Sequence, residues 1–300
     1  LSKHNSKNIC LSGGVSLNCV AITKIYDWFP EIKNIYTPPV PYDAGLPIGA
    51  AQYIYHNELG NPRVKWNDNS PTYLGEVYGT ESVENAIEKV KDKITIEKCD
   101  DDKVVDLLDK QNIISVFGGG SESGRRALGN RSILADPRSP EMKDMINEKV
   151  KHRQWFRPFA PSILNEDVAD WFELECESPY MLIVADVAEP RRKAMTKKEQ
   201  ELFGIDKLNV PRSDIPAVTH VDYSARIQTV HAETNPRYHK LLTKFKGDTG
   251  CPVLVNTSFN VRGEPIVCTP EDAFRCFMGS DIEILVVGNC FMRKEVQKPK

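Results

Sequence analysis

Short aliphatic runs alternate along this chain with segments whose apolar residues have helical spacing, and polar turns separate the two. An aliphatic run that ends in glycine or polar residues is typical of a buried strand, whereas apolar residues three or four positions apart predict one face of a helix. The runs predict strands at 8–11, 32–36, 112–117, 181–187, 226–230, 253–256 and 284–287. The helical spacing predicts helices over 15–28, 45–51, 81–93, 101–110, 139–150, 237–246 and 270–278. Strands that alternate with helices predict the α/β fold class.

A segment without periodicity, residues 60–79, is punctuated by Asn, Pro and Gly and predicts a linker. Before it lie only two predicted strands, too few for a sheet that is covered on both faces. We therefore predict a short first unit at 1–60, a linker and lead-in helix at 61–95, and a complete α/β domain at 96–300. The chain begins at Leu1, in polar sequence that runs straight into a predicted strand, and we expect it to be part of a longer protein.

The composition is that of an ordinary globular protein, with 300 residues, 40% hydrophobic content and a formal net charge of −3. No apolar run approaches the ~20 residues of a membrane span, and no signal peptide is recognisable. The eight cysteines are scattered without a C-x-x-C pair, which argues against a zinc ribbon or a disulfide framework. Because reduced thiols are typical of a cytosol, we expect a cytoplasmic protein without a membrane partner.

Residues 124–157 form a cationic island with nine basic and four acidic residues, a net charge of +5 in a chain whose total is −3. Its first part, residues 124–138, places four arginines among glycines and small polar residues. Arginine presents a rigid fork of N–H donors that suits phosphate and carboxylate oxygens, and glycine lets backbone N–H groups approach such a ligand. This local charge favours a small polyanionic ligand, because a nucleic-acid-binding protein is more often basic overall.

Three predicted strands end in glycine-rich or polar loops, the places where α/β folds commonly bind ligands. At residues 11–18 a Gly-Gly pair precedes a helix and can either cradle a phosphate or simply form a turn. At residues 118–124 a glycine-rich loop leads into the arginines, which favours a ligand site over a solvated loop. At residues 253–265 a buried strand ends in amide and hydroxyl side chains, which can either bind a ligand or cap the next turn.

The chain lacks the sequence patterns of several common catalytic sites. It contains no Walker A motif, no dinucleotide-binding fingerprint and no G-x-S-x-G nucleophile elbow. The six histidines are scattered, and no cysteine has a histidine nearby in a catalytic setting. Asp43 lies in a Pro-Tyr-Asp-Ala-Gly loop, where a turn residue is the usual role and a metal ligand would need outside support.

Several long motifs of the chain resemble the O-carbamoyltransferase family of nodulation and antibiotic-tailoring enzymes. The matching motifs are residues 13–18, 43–45, 124–132, 156–161, 224–230 and 256–260. Two departures accompany this resemblance, which spans nearly the whole chain. Arg125 stands where the family usually has proline and adds charge beside the expected site. Tyr223 stands where glycine is usual and can narrow that site.

The resemblance implies two domains with different roles. In this family an N-terminal domain of the actin/hexokinase-like ATPase fold passes a carbamoyl group to an acceptor hydroxyl. A C-terminal YrdC-like domain makes carbamoyl-adenylate from carbamoyl phosphate and ATP. By that comparison residues 1–60 match the C-terminal remnant of the first domain and residues 96–300 match the second. The expected function is an ATP-dependent O-carbamoyltransferase that acts on a hydroxyl-bearing small molecule or sugar, with the transfer step mostly outside this chain.

The resemblance also implies the site residues. It assigns catalytic roles to Arg126, Lys151 and Arg157. The residues implied to bind carbamoyl phosphate, ATP or the mixed anhydride are Arg131, Arg226, Asn256, Ser258, Gly13, Gly14 and Asn18. Asp43 matches one ligand of a divalent transition metal, and the two histidine ligands expected with it lie outside this chain. We therefore expect no tightly bound metal here, and Mg²⁺ only as the partner of ATP.

Two alternatives to an active enzyme stay open: a non-catalytic YrdC-like module that binds a nucleotide or RNA, and a fragment that is silent without its missing half. RNA binding would need aromatic platforms interleaved with the arginines. Trp155 and Phe156 beside Arg157 are the only candidates, and the sequence favours a core position for both. Nucleic acid is therefore not an expected partner.

Overall fold

The structure is a computed structural model that describes residues 6–64, 72–91, 94–98 and 100–297. Its helices are α1 (Cys19–Trp28), α2 (Leu46–Tyr53), α3 (Thr80–Glu88), α4 (Asp101–Asp109), α5 (Met142–Ile146), α6 (Val168–Trp171), α7 (Lys197–Glu201), α8 (Pro236–Thr249) and α9 (Pro270–Met278). Its strands are β1 (Asn8–Cys10), β2 (Asn34–Tyr36), β3 (Glu97–Lys98), β4 (Ile114–Phe117), β5 (Arg131–Ala135), β6 (Ala160–Leu164), β7 (Ile183–Asp186), β8 (Ser224–Val230), β9 (Val253–Ser258), β10 (Ile284–Val287) and β11 (Cys290–Arg293). None of the helices in these described ranges is both long and apolar enough to cross a membrane.

Strands β3 to β11 form one mixed sheet in the order β3-β11-β10-β4-β5-β9-β6-β8-β7. The pairs β10–β4 and β6–β8 are parallel, and the other neighbouring strands run antiparallel. Helix α8 packs on β6 and β9, whereas α9 packs on β4 and β10. Large side chains of this core that are fully buried include Phe117, Phe245, Phe259, Phe277 and Phe291. The α/β class predicted from the sequence is confirmed.

Four strands, β3, β5, β6 and β11, were not predicted by the hydrophobic pattern. The first two residues of β5 are Arg131 and Ser132, and β6 contains Pro161 and Ser162. All residues of both strands are nevertheless buried. Because polar groups inside a sheet must find hydrogen-bond partners, these strands mark a polar region in the middle of the molecule.

The first unit has its own two-stranded parallel sheet, β1 with β2, separate from the large sheet. Its helix α1 packs against β7, the strand at one edge of the large sheet. The Thr23 hydroxyl accepts a hydrogen bond from the N–H of Val184 at 2.9 Å, and its own hydrogen is shared between the carbonyl oxygens of Cys19 at 3.0 Å and Val184 at 3.2 Å. Helix α1 therefore satisfies backbone groups of an edge strand that would otherwise face solvent.

Part of the predicted linker is tightly packed. Ser123 donates its N–H to the Thr72 carbonyl at 2.8 Å, and its hydroxyl accepts the N–H of Leu74 at 2.9 Å. Gly75 donates its N–H to the Ser121 carbonyl at 3.0 Å. Residues 72–75 thus support the glycine-rich loop, while residues 65–71 of the predicted linker lie outside the described residues, as do the last two residues of the predicted helix 81–93.

Replacement of Thr23 by Val tests the contact between α1 and the sheet edge. Valine keeps the shape of the side chain but leaves both backbone groups of Val184 without their partner, so we expect a loss of about 1 kcal/mol in the free energy of unfolding. The Val184 amide should exchange with deuterium faster than in the parent. Thr23→Ser keeps the hydroxyl and serves as the control; equal Val184 exchange in both variants would contradict the contact.

Candidate anion-binding site

Five arginines line one cavity of about 380 Å³, which we call the arginine cavity. The lining residues are Arg125, Arg126, Ala127, Arg153, Arg157, Pro158, Met181, Arg226, Asn256, Thr257 and Ser258. None of these lining residues is acidic. A surface with this charge is suited to bind an anion that carries more than one negative charge.

The sheet brings these residues together from distant parts of the chain. Arg125 and Arg126 lie on the loop between β4 and β5, and Arg153 and Arg157 lie on the loop before β6. Arg226 lies on β8, which is separated by β6 from the polar end of β9. The cavity therefore sits where two loops meet the middle of the sheet.

The guanidinium groups of the cavity are desolvated and repel one another. Burial, then the charges of Arg226 and Arg125, lower the pKa of Arg126 to about 10. Burial also lowers the pKa of Arg226, with a further contribution from Arg153. The Nε atoms of Arg126 and Arg226 are buried and have no hydrogen-bond partner. A bound anion would supply both an acceptor for these donors and the missing negative charge.

A network of side chains fixes the orientation of the Asn256 amide. Gln228 donates its Nε2–H to the Leu128 carbonyl at 2.9 Å, so its Oε1 must be an acceptor. This Oε1 accepts the Ser162 hydroxyl at 2.6 Å and the Asn256 Nδ2–H at 2.8 Å. Asn256 Nδ2 also lies 3.0 Å from the Ser162 hydroxyl oxygen and 3.2 Å from the Ala127 carbonyl oxygen, which are further acceptors.

The polarity of this network leaves the Asn256 Oδ1 atom without a donor. Asn256 is only 1% exposed and lines the arginine cavity. An unpartnered buried carbonyl oxygen costs about 1–3 kcal/mol, so a ligand with an N–H group would be favoured beside it.

Lys151 lies behind the cavity wall and is not one of the lining residues. Its ammonium nitrogen donates to the Ser258 carbonyl at 2.5 Å and lies 3.3 Å from the Ser258 hydroxyl oxygen, and Ser258 itself lines the cavity. Burial, and to a lesser extent the charge of Arg153, lower the pKa of Lys151 to about 7. Lys151 can therefore gain or lose its proton near neutral pH.

Arg131, which the sequence analysis assigned to ligand binding, does not line the arginine cavity. It is fully buried, and its Nη1 donates to the carbonyls of Gly118, Gly119 and Asn130 at 2.9–3.3 Å. Its guanidinium carbon lies 3.7 Å from the centre of the Phe117 ring. In this structure Arg131 supports the glycine-rich loop by donating hydrogen bonds to its backbone carbonyls.

Glu122, which the sequence analysis did not single out, holds the loop that carries the arginines. Its Oε1 accepts the backbone N–H groups of Leu128, Asn130 and Arg131 at 2.8, 2.9 and 3.3 Å. Gly129 lies in this loop with φ 115°, and a Cβ there would meet the Tyr238 ring at 2.4 Å. Only glycine fits at that position, which explains its place in the motif.

The other residues that the sequence analysis missed are Arg153, Ser162 and Gln228. Gln228 follows Arg226 by two positions on a predicted strand, so the side-chain period of two could have placed both on one face. Ser162 had no such signal, since the strand β6 was itself not predicted, whereas Arg153 belongs to the cationic island 124–157 but was not singled out within it.

The predicted ligand residues of the first unit lie outside the arginine cavity. Gly13 and Asp43 line a second cavity of about 730 Å³, whereas Asn18 accepts the N–H of Ala21 and caps α1. Gly14 begins a short 3-10 helix. Cys19, next to Asn18, lies near the guanidinium groups of Arg126 and Arg226. In the described part of the chain no group of three or more His, Cys, Asp or Glu side chains could hold a metal ion, so Asp43 has no such companions there.

The two departures from the family pattern have different outcomes. Arg125 lines the cavity, as expected from its added charge, and its guanidinium lies 5.7 Å from the centre of the Tyr42 ring. Tyr223 is not among the residues that line the arginine cavity. It has φ 68°, and its ring contacts the Arg192 guanidinium at 5.1 Å. This left-handed backbone explains why glycine is suited to the position.

Comparison with known proteins gives consistent matches over both parts of the chain. The family model "Carbamoyltransferase C-terminus" matches residues 105–294, and "Carbamoyltransferase N-terminus" matches residues 1–52. An uncharacterized protein from Synechocystis sp. is 51% identical over 97% of this chain and 48% of its own length. Nodulation protein NolNO of Sinorhizobium fredii is 38% identical over 98% of this chain and 41% of its own length.

A 3'-hydroxymethylcephem-O-carbamoyltransferase from Amycolatopsis lactamdurans is 30% identical over 95% of this chain and 48% of its own length. The chain thus spans about half the length of the curated relatives it matches. Among solved structures, full-length HypF in its phosphate- and nucleotide-bound form matches with a TM-score of 0.38 and 15% sequence identity. The match covers 67% of this chain and 22% of the HypF chain. This likeness is too weak to support any argument. Because the C-terminal model covers well over half of the sequence, the chain belongs to the carbamoyltransferase family.

Proposed function

We propose that this chain contains the carbamoyl-adenylate-forming site of an ATP-dependent O-carbamoyltransferase. The observation that carries the proposal is the arginine cavity, where five guanidinium groups converge without an acidic neighbour in the lining. Carbamoyl phosphate and the phosphates of ATP are anions of the right class for such a cavity. The Asn256 Oδ1 atom, which has no donor in the protein, supplies an acceptor for the carbamoyl amino group.

The chemistry proposed for this cavity needs positioned cations and no covalent protein intermediate. Water first cleaves carbamoyl phosphate to carbamate and inorganic phosphate. The carbamate oxygen then attacks the α-phosphorus of ATP, a bond to that phosphorus forms, and pyrophosphate leaves with the electron pair of the broken bond. The arginines would hold the anions in line and stabilise the charge that develops on the phosphates, with Mg²⁺ arriving with ATP.

The domain assignment belongs to the same proposal. Residues 1–60 would be the C-terminal piece of the actin/hexokinase-like domain, residues 61–95 a linker and lead-in helix, and residues 96–300 the YrdC-like domain. The separate matches of the two family models, at 1–52 and 105–294, support this division. The N-terminal domain would bind the acceptor, which is a hydroxyl-bearing small molecule or sugar. It would also hold a transition metal, with Asp43 as one of the metal ligands.

Replacement of Arg226 by Ala tests the proposed anion site. Truncation of a desolvated charged side chain that pairs with a ligand commonly costs ~2–5 kcal/mol, so carbamoyl phosphate should bind more than about tenfold more weakly, and tenfold is only ~1.4 kcal/mol. Calorimetric titration with carbamoyl phosphate and with ATP measures the change. Arg275→Ala is the matched control, because Arg275 is exposed and pairs with Asp272 on α9. Equal affinities for both variants and the parent would refute the assigned site.

The role of Asn256 is tested by comparing two acyl phosphates. Acetyl phosphate has a methyl group where carbamoyl phosphate has its amino group, so it cannot donate to Asn256 Oδ1. We expect the parent to prefer carbamoyl phosphate by about tenfold, which corresponds to one hydrogen bond of ~1.4 kcal/mol. Asn256→Ala should bind both ligands with similar affinity. A preference that survives this substitution would show that another group recognises the amino end.

One observation favours a second candidate function, a nucleotide- or RNA-binding module. Trp155 and Phe156 are 38% and 43% exposed, so the core position favoured by the sequence is wrong for both. They lie beside Arg157, and exposed aromatic rings next to arginines can stack on bases. Each base stacked in this way is worth about 1–3 kcal/mol.

Replacement of Trp155 by Ala separates the two candidate functions. Under the RNA-binding alternative, Trp155→Ala should weaken the binding of a single-stranded oligoribonucleotide at least fivefold, as expected for about 1 kcal/mol of lost stacking. Under our proposal the parent binds carbamoyl phosphate and turns over ATP to AMP and pyrophosphate with it, and oligoribonucleotides bind only weakly. Fluorescence anisotropy and a pyrophosphate assay on the same samples distinguish the two.

A further inference from the structure

Asn260 supplies half of the acceptors around the Lys151 ammonium. The Lys151 nitrogen lies 3.0 Å from the Asn260 carbonyl oxygen and 2.9 Å from its Oδ1. The other two acceptors belong to Ser258. All four acceptors are neutral, and Lys151 is only 7% exposed. The ammonium group of Lys151 therefore has acceptors for all its hydrogens, but none of these acceptors neutralises its positive charge.

The orientation of the Asn260 side chain is determined by its own hydrogen bonds. Its Nδ2 donates to the Glu264 carbonyl at 2.8 Å, so the Oδ1 atom faces Lys151. The same Oδ1 accepts the Ser258 hydroxyl at 2.7 Å. One side-chain oxygen therefore fixes both the lysine behind the cavity wall and the serine in that wall.

We infer that Asn260 is a positioning residue, which holds the Lys151 ammonium and the Ser258 hydroxyl at the arginine cavity without cancelling the charge of the lysine. Asn260 does not itself line the cavity, and it acts through the two residues it holds. The inference rests on the proposed function to the extent that the cavity binds an anion. A carboxylate in place of the amide would keep the geometry and cancel the charge, which is a testable difference.

Three further groups act on Lys151 or on its surroundings. Arg153 lowers the pKa of Lys151, whereas Cys276 of α9 raises it to a smaller extent. Burial and, to a lesser extent, the charge of Glu264 raise the pKa of the Cys276 thiol, so Glu264 acts on the neighbour of Lys151. Because burial and Arg153 outweigh the other contributions, the unliganded protein should hold Lys151 charged below about pH 7 and neutral above it.

Two substitutions at residue 260 should move the Lys151 titration in opposite directions. Asn260→Asp places a carboxylate beside the ammonium and should raise the titration midpoint by at least one pH unit. Asn260→Ala removes a neutral acceptor of the charged form and should lower the midpoint. The midpoint is read from the lysine Cε resonance by NMR in the full chain, with Lys151 assigned by its loss in Lys151→Met. Asn57→Asp, the same chemical change at an exposed position of the first unit, should leave the midpoint unchanged.

Inorganic phosphate supplies the second readout, by calorimetry between pH 6 and pH 8.5. Because inorganic phosphate itself changes from monoanion to dianion over this range, the affinities are referred to the dianion, and on that scale the parent should bind phosphate more weakly as the pH rises through 7, because Lys151 then loses its proton. Asn260→Asp should bind it about tenfold more weakly at pH 6 and with less dependence on pH. A purely structural Asn260 would lower thermal stability in both variants without moving either midpoint, and that result would overturn the inference. If the midpoints move while the parent binds no phosphate, the positioning of Lys151 stands and the proposed function fails.

Discussion

Positive charge that is buried without carboxylate partners is the constraint on which the candidate site depends. Guanidinium groups converge on the arginine cavity, and burial with mutual repulsion lowers the pKa of Arg126 and Arg226. The protein holds the neighbouring Lys151 ammonium with neutral carbonyl, amide and hydroxyl oxygens. Such acceptors fix the geometry but leave the charge for a ligand to neutralise. A framework of this kind favours the anion-bound state over the empty one.

Arg138, in the same segment as the cavity arginines, pairs with carboxylates. Its guanidinium contacts the fully buried Asp136 at 2.6 Å and Asp109 at 2.6 Å, and these contacts raise its pKa. In the sequence, eleven residues, which include strand β5, separate Arg138 from Arg126 of the cavity. The difference between them is a counter-charge, which Arg138 has in Asp136 and Asp109 and which the lining of the cavity lacks.

The sequence predicted the elements better than it predicted their convergence. Aliphatic runs identify β4, β9 and β10 because a strand buried on both faces reads as a continuous hydrophobic run. The strand β6 was not recognised because Ser162 interrupts its hydrophobic run. The Ser162 hydroxyl donates to Gln228 on the neighbouring strand β8, and a partner 66 positions away leaves no local signal in the sequence. Likewise Arg131 has the chemistry of a ligand residue, and only its hydrogen bonds to the loop carbonyls in the structure show that it supports the loop.

The rim of the arginine cavity depends on the first unit as well as on the large sheet. A Cβ at Gly124 would meet the Pro39 carbonyl oxygen at 2.5 Å, so the loop that carries the arginines packs directly on the proline-rich loop before Asp43. Arg125, one residue on, lies over the Tyr42 ring. Any movement of the arginine loop when an anion binds would therefore be transmitted to the loop that holds Asp43. The arginine loop and the loop that holds Asp43, which the family resemblance assigns to different chemical steps, thus pack directly against each other. A side chain at residue 124 would push these two loops apart.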